Sequence, residues 1–115
     1  FLGVLHMTNN RHPDGWTILK FTTNEDVFYK IFATWRWGNE EWILSSGAES
    51  VHNMTEEDSK YIWPQASGSI YHLPKDGERG FTFYQGQAMK GIIAKSIALG
   101  ATVEIVKLQD ILHAL

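Results

Sequence analysis

Arg36, Trp37, Ser67, Ser69, Tyr71, Lys75 and Arg79 are the side chains of this sequence whose types and neighbours could hold a ligand. Trp35-Arg36-Trp37 is the densest group. In a strand its two indoles share one face and Arg36 points the other way. At a strand end two indoles can flank a planar ring, and a guanidinium can stack on a base or bind phosphate. The ordinary alternative is two core indoles beside a solvated Arg36, because tryptophan is usually mostly buried. Lys75 and Arg79 flank a glycine-containing loop and, with Arg36, could form a small cationic pocket for a phosphate-bearing molecule. A surface loop of mixed charge is the more common meaning of such a run, and its spacing is neither a P-loop nor a dinucleotide fingerprint. Ser67-Gly68-Ser69 could turn backbone N–H groups toward an anion. Turn capping by the two hydroxyls is the more frequent role.

Other reactive types are present without the spacing that chemistry needs. The five histidines, His6, His12, His52, His72 and His113, are far apart, and none has another two to four residues away. Metal sites need convergent ligands, so no metal or cofactor is expected, and each imidazole reads as surface or half-buried. Glu40-Glu41 and Glu56-Glu57-Asp58 are neighbouring carboxylates. Acids that share glycosidic work face one another across a substrate, so these read as solvated loops. No serine lies in a G-x-S-x-G context. No catalytic residue is assigned, and a non-enzyme is expected. The contrary reading is a dispersed active site of His72, Tyr71 and a loop acid.

Composition narrows the partners. There is no cysteine, which excludes disulfides and thiolate chemistry and suits a cytoplasmic protein. The net charge is −3 and the Lys and Arg residues are scattered, so non-specific nucleic-acid binding is not expected. No apolar run approaches the roughly 20 residues that span a bilayer, so no membrane association is expected. With 115 residues, 1–115 reads as a single domain. Phe1–Leu5 is either an edge strand or a tag, with Met7 as a native start and residues 1–6 vector-derived.

The elements that must position these side chains centre on Trp16 to Gly47, which reads as three antiparallel strands. Val27 to Trp35 puts Val27, Tyr29, Ile31, Ala33 and Trp35 on one face, taken as the core face. Phe28 and Phe32 on the other face should meet a helix or a second subunit. Ala48–Met54 reads as a fourth strand, and Thr55 as the cap of a short helical turn. Tyr61–Trp63 and Ile70–Leu73 read as short strands, stopped by Pro64 and Pro74. Lys75–Gly80 is a loop. From Phe83 or Tyr84 the period changes, and Met89, Ile92, Ile93 and Ile97 mark an amphipathic helix. Gly91 inside it implies close packing on the sheet, and Gly100 ends it. Thr102–Leu108 alternates as a final strand, and Leu108, Ile111, Leu112 and Leu115 give the tail helical spacing. The expected fold is therefore α+β: an antiparallel β-meander sheet of about five to seven strands, packed by one C-terminal amphipathic helix, with a final short strand and an apolar tail. That tail caps the core or packs on a neighbouring subunit, so a homo-oligomer is expected.

Two patches, Trp42-Ile43-Leu44-Ser45-Ser46-Gly47 and Ser67-Gly68-Ser69-Ile70-Tyr71-His72-Leu73, resemble a pattern in small phage and prophage accessory proteins. The resemblance implies a β-rich protein made in an infected bacterium, acting in the host cytoplasm by binding. Its target would be a nucleotide-like signal to be sequestered, as in phage nucleotide sponges, or a host defence protein to be blocked. A structural part of a virion or larger complex, joined through an edge strand such as Val103–Leu108, is the alternative.

Overall fold

The computed structural model describes residues 9–113. The readings made for residues 1–6, for Met7 and for Leu115 lie outside them. The strands are β1 (Asn10–Arg11), β2 (Gly15–Thr22), β3 (Val27–Trp35), β4 (Glu41–Leu44), β5 (Thr55–Glu56), β6 (Lys60–Pro64), β7 (Ile70–Pro74) and β8 (Thr102–Val106). The helices are α1 (Phe83–Ala98) and the short α2 (Leu108–His113), and a 3-10 turn covers Lys75–Gly77.

Trp16 to Gly47 forms the expected meander, but the strands do not make one sheet. Among the described residues they make two, of four strands each. The first, in the order β4-β3-β2-β8, is antiparallel throughout. The second runs β1-β7-β6-β5, with β1 parallel to β7 and the other pairs antiparallel. The reason lies in β2, which is apolar on both faces. Trp16 and Ile18 point one way, Leu19 and Phe21 the other, and all four are buried. A strand buried on both faces needs a layer on each side. The second sheet supplies one layer and α1 the other, giving helix, sheet and sheet.

Between the sheets, Trp16, Ile18, Ile31 and Ala33 meet Trp63, Tyr71 and Leu73, with Val51 and the Leu108 and Ile111 side chains of α2 completing the cluster. Between the first sheet and α1, Leu19, Phe21 and Phe32 pack on Met89, with Phe28, Ile92 and Ile93 around them. Phe28 and Phe32 thus meet a helix of the same chain. Each such fully buried side chain contributes roughly 1.5–3 kcal/mol.

The helix begins where Thr82 and Gln85 form a capping box. Thr82 Oγ1 accepts from Gln85 N at 3.2 Å, and Gln85 Oε1 accepts from Thr82 N at 2.9 Å. Gln85 Nε2 also donates to the carbonyls of Trp35 (3.0 Å) and Glu41 (2.9 Å), which docks the helix start on the β3–β4 connection. Gly100, at φ +104, follows the helix end as expected. Gly91 corrects an expectation: it is exposed, and a Cβ there would meet nothing within 4 Å, so it marks no close approach. Ala48–Met54 is not a strand either. It contributes a lone bridge from Ala48 to Tyr29 and then turns, which carries the chain from one sheet to the other. Thr55 opens β5 rather than capping a helical turn.

The two patches with the phage-like pattern meet in space. Ser45 Oγ accepts from Ile31 N at 2.8 Å and donates to Gln65 Oε1 at 2.7 Å, and both side chains are buried. Ser46 Oγ accepts from Ser67 N at 2.9 Å, and Gly47 O accepts from Ala66 N at 2.8 Å. Together these bonds stitch the end of β4 to the β6–β7 turn.

Candidate functional site

β7 alternates. Tyr71 and Leu73 point inward and are buried, so His72 between them lies on the outer face of the second sheet. The parallel pairing of β1 with β7 brings residues about sixty positions away in sequence beside it. The His12 ring stacks on the His72 ring, with centroids 4.2 Å apart and planes at 21°. Asn10 Oδ1 lies 2.9 Å from His72 Nε2. From β6, Lys60 Nζ lies 3.0 Å from His72 Nδ1. An ammonium can only donate, so Nδ1 is the acceptor nitrogen. The ring proton then sits on Nε2 and donates to Asn10.

His12, Lys60 and His72 line a groove of about 470 Å³ together with Pro13, Ser59, Pro74, Lys75 and Asp76. That size suits a small-molecule ligand. Its two lysines differ. Lys75 Nζ is bound to Glu56 Oε2 at 2.6 Å and lies over the Tyr61 ring at 5.1 Å. Its pKa is raised, first by the hydrogen bond to Glu56. Lys60 forms no salt bridge among the described residues, and its ammonium rests on a neutral imidazole. The His72 pKa is lowered, first by burial and then by the charges of His12 and Lys60, with Glu57 opposing. Among the described residues, the groove therefore holds a lysine that makes no salt bridge, beside an imidazole that resists protonation. An oxyanion could take hydrogen bonds from Lys60, and the exposed His12 offers a ring face for stacking.

The structure separates the side chains singled out in the sequence. Lys75 is in the groove. Arg36 and Trp37 lie together at another place, where the Arg36 guanidinium reaches Gly80. Arg36 is held by Asp14: its Nε donates to Oδ1 at 2.7 Å, its backbone N donates to Oδ2 at 2.8 Å, and an Nη donates to Asp14 O at 3.1 Å. Trp37 is 78% exposed and lies 5.7 Å from the Arg36 guanidinium. Trp35 is half-buried, with Nε1 donating to His12 O at 3.1 Å. The triplet is thus not two core indoles beside a solvated arginine. Arg79 is exposed, at φ +61, and its backbone N donates to Trp16 O. Ser67 and Ser69 bond to each other at 3.3 Å in the β6–β7 turn. Tyr71 sits in the core, its pKa raised by burial. Because Tyr71 and His72 point to opposite faces, they do not share a site.

His12, Lys60 and Asn10 carry no local sign of a ligand site in the sequence. The approach of His12 to His72 depends on a two-residue parallel pairing. No group of three His, Cys, Asp or Glu side chains placed to hold a metal occurs among the described residues. No helix among them is long and apolar enough to cross a membrane. Compared with known proteins, the chain matches no family model, no curated protein and no solved structure.

Proposed function

We propose that this chain is a non-enzymatic binding protein whose groove over the second sheet takes a nucleotide-like small molecule. One observation carries the reading: the Lys60 ammonium, without a carboxylate partner among the described residues, at the wall of a ligand-sized groove that also presents the stacked His12 ring. A phosphate would seat on Lys60, and a base on the open face of His12. In an infected bacterium such a protein, working in the host cytoplasm as an oligomer, would act against host defence by sequestering a nucleotide signal. Blocking a host protein is the other branch of the same proposal.

The test is thermal unfolding against mono-, di- and cyclic nucleotides, each at about 100 times its dissociation constant. Linkage gives about 2.7 kcal/mol of stabilisation at that excess. In a domain of this size that is roughly 4–8 °C for each kcal/mol. A selective shift that disappears in Lys60→Met and persists in Arg36→Ala places the ligand in the groove. A flat panel overturns the small-molecule reading and leaves capture of a host protein to be tried.

A second reading, a component of a larger assembly, draws on β8. Among the described residues it is the outer strand of the first sheet, and Ile105 on it is exposed, as are Ile97 and Leu99 at the end of α1. An unpaired edge with apolar neighbours is a place where another strand can add.

A further inference from the structure

His72 stands between two states, and the groups around it decide which one holds. Lys60 of β6 donates to its Nδ1, and His12, in the segment after β1, stacks on its ring. Glu57, in the β5–β6 turn, acts on it from the acidic side. Lys75 and Asp76, in the turn after β7, line the same groove, and Lys75 is already occupied by Glu56. Asn10 of β1 fixes Nε2–H. In the free protein the Lys60 ammonium therefore presses on the imidazole, with the Glu57 carboxylate opposing it.

Resting on the reading of this groove as the ligand site, we propose that it binds an oxyanion of the phosphate class together with a proton. The anion draws the Lys60 ammonium off Nδ1, and His72 then takes a proton from water and donates Nδ1–H to the bound anion. No covalent bond forms or breaks. The proton comes from solvent and returns there on release. The physical reason is a change of sign. A negative charge in the groove cancels the push of Lys60 and His12, and the freed nitrogen gains an acceptor, so the charged imidazole becomes the favoured form. Lysine suits this role because its flexible stem lets the ammonium move between two acceptors. The consequence is a binding site that tightens as the medium acidifies through the range where imidazole titrates.

The experiment uses probes whose own charge is constant near neutral pH, namely sulfate and 3′,5′-cyclic adenosine monophosphate. Binding to the whole protein is followed by the histidine ring signals in NMR at a series of pH values from about 8 to 6, which bracket ordinary imidazole titration. Affinity is expected to rise as pH falls, by up to about tenfold per pH unit where one proton is taken up. In His72→Gln the affinity no longer rises as pH falls. In Lys60→Met binding weakens at every pH. Each variant is checked by its dispersed spectrum. Equal affinity across the series overturns the proton coupling and leaves the ligand site standing. No response to either probe at any pH overturns both.

Discussion

His72 also couples the fold to pH without any ligand. Its pKa is lowered in the folded chain, so the unfolded chain binds the proton more tightly. Stability is then fully present above the unfolded imidazole value of about 6.5 and is lost as pH falls through the folded value. The melting temperature should drop between about pH 7.5 and 5.5, and His72→Gln should flatten that drop. A wild-type profile that rises on acidification would refute the assignment. At this scale the sequence disclosed residue types and little of their use. Trp35-Arg36-Trp37 was legible as an unusual triplet, but the Asp14 carboxylate that holds Arg36 lies 22 residues earlier. The Thr82–Gln85 box, by contrast, is a local pattern, and the first helical turn follows from it.

At the scale of elements, periodicity was a good guide wherever an element buries one stripe. The α1 helix, β6, β7 and β8 lie close to where alternation and the 3.6-residue period put them. Glycine was a poorer guide, because a missing Cβ has opposite meanings in different surroundings. On Gly15 a Cβ would collide with Gly80 O, and on Gly91 it would meet nothing within 4 Å. Gly15→Ala should therefore destabilise by about 3 kcal/mol or more, the upper end for overpacking. Gly91→Ala should stabilise by about 1 kcal/mol through helix propensity. Urea unfolding of the two variants checks both signs. A stabilised Gly15→Ala protein would mean that the Lys75–Gly80 segment does not lie against β2.

For the whole molecule the sequence misled on the number of sheets. Alternation tells which face of a strand is apolar, not which strand lies beside it. The strong patterns of β6 and β7 fitted one long meander as well as a second layer. What disposed of the meander is a property of β2 alone, the burial of both its faces, and that does signal two covering layers. The candidate site was harder to see for the same reason: it is assembled by the β1–β7 and β6–β7 pairings, not by neighbours in sequence. The outer edge that β8 forms among the described residues bears on how copies associate. If copies join through it, light scattering after gel filtration should show a mass that grows with concentration, and Ile105→Lys should hold the chain at one subunit. A wild-type mass that stays at one subunit on concentration would rule out β8 as a joint.

The pairing of β8 with β2, Ile18 against Val106 through Thr22 against Thr102, has a further consequence for synthesis. Because β2 is made early and its neighbour late, the hairpin of β2 and β3 leaves the ribosome with one side of β2 bare. That edge of unpaired N–H and C=O groups is a template for the wrong partner until residues 102–106 emerge. The interval is set by translation and not by the intrinsic folding speed of the hairpin. For this chain the hazardous period is the time taken to make some eighty residues between the two strands, at roughly 5–20 residues per second. A nascent chain paused within α1 is the form a chaperone would have to guard.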